Sequence, residues 1–320
     1  MNWINMPVGV AIIAANNAAP SGVGRTAGAR TPATNLDFVI FTQLVNHVLG
    51  FKGLNSGMEL PLQQHPDFGT ALEMIGANVR RINIKGAAPT QIIKRFGIDF
   101  ASRGPIWFTE NPEALRQCPL RIINAEQPSE IYRKAGFRQL MTPAYVAELN
   151  LLDTAWLTSA HGKWRNSWRK SQKSNLEIEH ETFDAALHEW VLIEDRQQQR
   201  RKKYRALPHS IIHAYASISP RNVIVFSARK KNKNVAAMLF LQHGKVATYH
   251  VGWSSVAGRE TNAHYALLTS ATDYFEKRGV TRLDLGTVDT ENAPGLARFK
   301  IGSGAQIRSL GGTWLRIPGL

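Results

Sequence analysis

The chain has a single cysteine in 320 residues, Cys118. That excludes a disulfide framework and a zinc site built from several thiolates. Long apolar runs are missing as well: the longest, Val8 to Ala15, is far short of the roughly 20 residues that cross a bilayer. No Lys or Arg precedes Arg25, so the positive region of a secretory signal is absent. There is no Gly-x-Ser-x-Gly elbow and no phosphate-binding P-loop. His209 and His213 have the i, i+4 spacing of ligands on one helix face, but no adjacent Glu or third ligand accompanies them, and no metal is expected. A reduced, cytoplasmic protein with no tightly bound cofactor is the expectation. At 43% hydrophobic residues the chain buries a sizeable core.

Acidic residues are also scarce, 24 against 39 Lys and Arg, for a net charge of +15. Three clusters carry the whole excess: Lys163, Arg165, Arg169, Lys170 and Lys173; Arg196, Arg200, Arg201, Lys202, Lys203 and Arg205; and Arg229, Lys230, Lys231 and Lys233. Such clusters suit a polyanion, whether donor phosphates, RNA or an anionic membrane surface met peripherally, and they equally suit solvated helix faces.

Along the chain, residues 1–35 read as a loop-rich segment. Gly22, Gly24 and Gly28 give GxGxxxG spacing, but Pro20 and Pro32 stand where a dinucleotide-binding unit needs its strand and helix. A helical pattern covers Asp37–Leu49, and Pro66 opens a helix that Gly76 stops. From there helical and strand signals alternate, and the pattern starts again after a helix over Asp153–Ser174. On that helix Trp164 and Trp168 share one face and cations occupy another, so the indoles are expected to pack across the two halves. The last strand is expected to run from Gln306 to Ile317. The fold class is therefore α/β with mixed sheets, a duplicated unit over residues 36–152 and 176–320 joined by a basic, Trp-rich helix over 153–175.

Four segments of the second half resemble the FemAB-like branch of the GNAT acyltransferase superfamily: Gly252-Trp253, Ala263-His264-Tyr265-Ala266-Leu267-Leu268, Leu283-Asp284-Leu285-Gly286, and Gly295 through Phe299-Lys300 to Gly302. The stretch from Leu149 through Trp164 to Lys173 resembles that branch's inter-domain region. The resemblance implies two tandem GNAT-like domains, the second one catalytic, and an N-acyltransferase that moves an acyl group from an acyl-thioester (acyl-CoA or acyl-carrier protein) to a primary amine. The branch also implies a second reading, aminoacyl-tRNA as donor in peptide-bond formation, which +15 suits better. A catalytically inactive module that binds RNA or an anionic surface is a third.

Acyl transfer to an amine needs no protein nucleophile; it needs a proton acceptor, oxyanion stabilisation and a hold on the donor's phosphates. The resemblance puts Phe299-Lys300 beside the donor's reactive end, with Lys300 on the oxyanion or a phosphate. The turn before helix His264–Lys277 is expected to present free amides, so Gly258, Arg259, Thr261, Asn262, Ala263 and His264 form the expected donor cradle. Gly258 is the only glycine there, a departure from the superfamily's glycine-rich spacing that keeps donors other than coenzyme A open. Asp284, Asp289, Glu291 and His250 are the candidate bases or amine binders. The acceptor is expected to be a small molecule or peptide amine.

Overall fold

The computed structural model describes residues 59–153 and 156–317. The glycine-bearing loop before residue 35 and the helix over Asp37–Leu49 lie outside the described residues.

Proline and side-chain caps start the helices where the sequence places them. Helix α1 (Pro66–Met74) has proline at its first position and takes an N-cap bond from Asp67 N to His65 Nδ1. The next, α2 (Pro112–Gln117), is capped by Asn111, whose side chain accepts from Ala114 N. A short α3 (Ile131–Lys134) follows. Around them β1 (Asn78–Ile82), β2 (Thr90–Arg95), β3 (Ile98–Ser102), β4 (Ile122–Asn124) and β5 (Arg138–Met141) belong to a six-stranded sheet. The second sheet has seven strands. It takes β6 (Tyr145–Asn150), β7 (Glu177–Thr182), β8 (Val223–Lys230), β9 (Lys233–His243), β10 (Val246–Ser254), β11 (Arg282–Val288) and β12 (Gln306–Ser309).

The final strand does not run on as one piece. It divides into β12 and β13 (Thr313–Leu315), which lie in different sheets: β12 pairs with β6, and β13 returns to the first sheet between β4 and β5. The break falls at Gly311-Gly312. Gly312 has φ +81°, and a Cβ at Gly311 would lie 2.2 Å from Gln127 O, so neither position takes an ordinary strand residue. In return β6 pairs antiparallel with β11 of the second sheet. Each sheet thus holds a strand from the far side of the sequence, and the chain crosses between sheets at residues 142–144 and 310–312.

The basic helix is consequently not the joint. It is two helices, α4 (Trp156–Ser159) and α5 (Gly162–Gln172), the second capped by His161 accepting from Lys163 N. Trp156 and Trp164 are buried on one face of the second sheet, together with Leu267, Phe275 and Phe299, rather than across the two halves. On that face also lie α8 (Val256–Glu260), α9 (Ala263–Lys277) and α10 (Pro294–Gly302), numbered after α6 (Ala185–Lys202) and α7 (Ser210–Ile218) of the opposite face. The opposite core takes Phe68 and Leu72 of α1 and Ile93 of β2 together with Val191, Ile211, Tyr215 and Leu239. The two sheets are therefore cemented by shared apolar packing, and α2 and α3 cover a third core on the first sheet.

Candidate active site

Strands β10 and β11 are parallel neighbours, but their pairing is short: Val246, Ala247 and Thr248 meet Arg282, Leu283 and Asp284, and there it stops. Beyond that point both strands are irregular. His250 is the extra residue of a bulge between Tyr249 and Val251, and the β11–β6 register shifts between Asp284 and Thr287. Residues 249–254 and 285–288 are not paired with one another, and this parting of the strands is the candidate cleft.

Lys300 stands at the base of that cleft. Gly295 and Pro294 begin α10, Phe299 anchors it, and Lys300 follows on its inner side, 5% exposed. Its Nζ donates to Thr287 O at 2.8 Å and lies beside Gly286. One of its three N–H bonds is thereby used, and among the described residues the other two have no hydrogen-bond partner. Burial pushes its pKa down to about 8, against the pull of nearby Asp284. Phe299 itself is core: it packs against Tyr265 (5.2 Å) and Trp164 (6.2 Å), and its carbonyl accepts from Trp164 Nε1 at 3.1 Å.

Asp284 is not free to take up a proton or an amine. Its carboxylate accepts from Arg103 Nη1 at 2.5 Å and from Gly286 N at 2.8 Å. Burial alone would raise its pKa, but Arg103, the Gly286 amide and Arg282 together outweigh burial and hold it below the ordinary carboxylate value. Arg103 is also bidentate to Glu126, at 2.6 and 2.9 Å. Arg308 binds Glu126 at 2.6 Å and Glu148 at 2.8 Å, and Arg282 reaches Glu148 at 3.2 Å. Three guanidinium groups thus meet Glu126, Glu148 and Asp284 across the junction of the sheets, Arg282 also pairing with Glu59 at 3.5 Å, and Asp284 is the member that touches the cleft. For Arg103 the ion pairs again outweigh burial, so its pKa rises and it stays charged. Sequence reasoning found Asp284 but missed Arg103, Glu126, Glu148 and Arg308. Arg103 and Asp284 are 181 residues apart, and no local pattern links them.

The turn that was expected to offer free amides uses them internally. Gly258 N donates to Ser255 Oγ at 3.0 Å, Arg259 N to Ser255 O at 3.1 Å, Thr261 N to Ala257 O at 3.0 Å and Asn262 N to Arg259 O at 3.1 Å. The turn has wound into the short helix α8. Gly258 serves close packing, since a Cβ there would lie 2.2 Å from Val235 O. Asn262 is left-handed, φ +54°, and gives no side-chain cap, so the uncapped start of α9 at Ala263 is what the cradle retains. His264 points Nε2 at Ala237 O, 3.4 Å away, and burial pushes its pKa down to about 4, so it is neutral and structural.

His250 is half-buried at the bulge, its pKa pushed to about 4 by burial, with Asp195 opposing that shift and His209 adding to it. Behind it, buried Asp195 accepts from Tyr204 Oη (3.1 Å) and Gln199 Nε2 (2.6 Å) and contacts His209 Nε2 at 2.8 Å; Gln198 Nε2 donates to Gly252 O at 3.0 Å. Asp289 and Glu291 remain outside on an exposed loop. The Asp289 carboxylate closes that loop by accepting from Glu291 N, Asn292 N and Asn292 Nδ2, and the Asn292 bonds lower its pKa. His213 pairs with Glu189 at 3.2 Å, and no cluster of metal-ligating side chains occurs among the described residues. Among the same residues no helix is long and apolar enough to cross a membrane.

Members of the basic clusters lie at this end of the second sheet. Lys202 lies near enough to Arg259 of α8 for each charge to act on His264. Ser255 N ties α8 to Val235 O, three residues after the Lys231-Asn232 hairpin turn, and Glu177, which follows α5, pairs with Arg229.

No family model matches the sequence, and no curated protein matches it. Solved structures do. FemX is similar over 89% of this chain and 96% of its own, with a TM-score of 0.64 and 14% identity. The C-terminal domain of a protein named as a lysylphosphatidylglycerol synthetase, from Agrobacterium fabrum, is similar over 89% and 93%, TM-score 0.53 and 16% identity. A conserved protein of unknown function from Bacteroides thetaiotaomicron follows at 79% and 90%, TM-score 0.53 and 11% identity. With the two mixed sheets and the parted β10–β11 pair, these likenesses show that the chain shares the fold of FemX and of the other two structures.

Proposed function

We propose that the chain transfers an acyl group to a primary amine in the cleft between β10 and β11, with Lys300 as the cation that stabilises the developing oxyanion. The observation that carries this reading is the position of Lys300: buried, at the point where β10–β11 pairing ends, with two N–H bonds unspent. The amine nitrogen attacks the donor carbonyl, a C–N bond forms, and the tetrahedral oxyanion sits against Nζ. Collapse breaks the bond to the donor's ester oxygen or thiolate sulfur, which takes up a proton as the nitrogen sheds one. Asp284 and the Arg103 network hold Gly286 and the cleft floor rather than moving protons.

Between donors, the turn and the charge favour aminoacyl-tRNA over coenzyme A or an acyl-carrier protein. Most turn amides that would cradle a pyrophosphate are consumed within α8, which leaves the uncapped start of α9, whereas members of the basic clusters lie at the same end of the sheet. An extended polyanion with a terminal ester uses such a rim, and its affinity falls steeply with salt. Supplying charged tRNA and a panel of coenzyme A thioesters in parallel, with amide formation as readout, tests the reading. Product from charged tRNA alone is expected; product from a thioester alone would restore the thioester donor, and tRNA binding without product from any donor would favour an inactive binding module.

A further inference from the structure

The far end of the first sheet carries a feature that acyl transfer does not use. Strands β2 and β3 form a two-residue hairpin, Arg95 pairing with Ile98, and the turn residues Phe96 and Gly97 have φ +49° and +78°. Positive φ at both positions is the type I′ geometry, which favours Asn, Asp or Gly first. A bulky L-residue is disfavoured in that region. Phe96 nevertheless stands there, and at 83% it is the most exposed large apolar side chain among the described residues. Its one ring contact is the Arg95 guanidinium, 4.9 Å from the centroid. Among the described residues nothing covers this aromatic, and it stands where the backbone disfavours it, so their packing supplies no folding rationale for it.

The surroundings say what covers it. Ile98 and Ile317 are exposed at the same end, 43% and 40%. Gly97 borders a cavity of about 620 Å³ whose lining includes Arg116, Arg121, Arg316 and Asp99. The two carboxylates close by are already paired, Asp99 with Arg80 at 2.8 Å and Glu113 with Arg116 at 2.6 Å. Among the described residues Lys94, Arg95 and Arg121 form no ion pair with a carboxylate, and the Arg316 guanidinium is spent on the carbonyls of Leu115, Arg116 and Cys118. This end is remote from the cleft: β3 runs from Ile98 at the tip to Ser102, just before Arg103 of the charge network, and β4 runs from Arg121 beside the cavity toward Glu126.

We propose that this end of the first sheet is an interfacial docking surface for an anionic membrane, with Phe96 entering the headgroup boundary, Ile98 and Ile317 flanking it, and Lys94 and Arg121 meeting lipid phosphates. A small apolar tip ringed by unpaired cations is the pattern that interfacial binding requires. Aliphatic flanks suit acyl chains better than the stacked bases of single-stranded RNA, which call for further aromatics.

The test is flotation of the full chain with phosphatidylcholine vesicles, with and without phosphatidylglycerol, for the unmodified protein, Phe96→Asn, and Lys94→Gln combined with Arg121→Gln. Asn suits the left-handed turn, so the thermal midpoint of Phe96→Asn is expected to hold or rise, and lost binding cannot be unfolding. The unmodified chain is expected to float only with phosphatidylglycerol, Phe96→Asn to lose about tenfold in partitioning, and the double variant about tenfold or more. Glycerol phosphate at matched phosphate concentration is expected not to compete. No flotation, flotation of Phe96→Asn equal to the unmodified chain, or displacement by glycerol phosphate would each overturn the proposal, the last assigning the surface to soluble phosphate.

Discussion

The two flanks of the cleft are built in opposite ways. On one side α10 brings a buried, incompletely satisfied lysine to the point where β10 and β11 part. On the other, the turn after β10 closes its amides on itself and leaves only the uncapped start of α9. One flank keeps a polar group under tension and the other spends its polar groups on folding. In the proposed function catalytic potential resides where hydrogen-bonding capacity is left over: the α10 side is assigned the chemistry, and the turn side is assigned donor binding through the cations around it.

Breaking the support under the reactive flank is expected to have the largest effect. Arg103→Met leaves Asp284 and Glu126 without their shared partner and is expected to cost about 3–5 kcal/mol of stability in urea unfolding, as for other severed buried ion pairs. Lys300→Ala is expected to lower turnover by about tenfold to a hundredfold, roughly 1–3 kcal/mol of transition-state stabilisation, with an unchanged circular dichroism spectrum. Unaltered turnover would remove the distinction between the flanks. Ser255→Ala sharpens the contrast from the other side: it removes the cap of α8, and the expected loss is about 1 kcal/mol of stability with little change in turnover. A large turnover defect there would show that the turn takes part in the chemistry.

The alternation of elements was legible from proline, glycine and hydrophobic spacing, and Pro66, Asn111-Pro112 and Gly76 mark real boundaries. The order of motifs around Asp284 and Lys300 was legible too. Sheet membership was not. Residues 145–150 and 313–315 read as strands, but nothing in a strand's own pattern names its partner, and both pair across the fold. The turn misled because sequence gives the residues at a helix start but not which amides their neighbours consume. His250 was read as a candidate on ordinary imidazole chemistry, and burial removes that chemistry by holding it neutral, as it does for His264 of the expected cradle. The Arg103 network, joining residues over 181 positions, leaves no periodic trace.

The most direct test of Lys300 as the working cation is the pH dependence of turnover. Its folded pKa of about 8 lies below the 10.5 of an unperturbed lysine, so the ammonium is present below about 8 and is lost as pH rises through that value. The same shift means that the unfolded chain binds the proton more tightly, so this group adds stability as pH rises from about 8 toward 10.5. Turnover and stability therefore move in opposite directions over one window. Turnover that falls above pH 8, with Lys300→Arg keeping its plateau to higher pH, is the predicted result. Turnover that rises through pH 8 and depends on Lys300 would make the neutral amine a base and contradict the account.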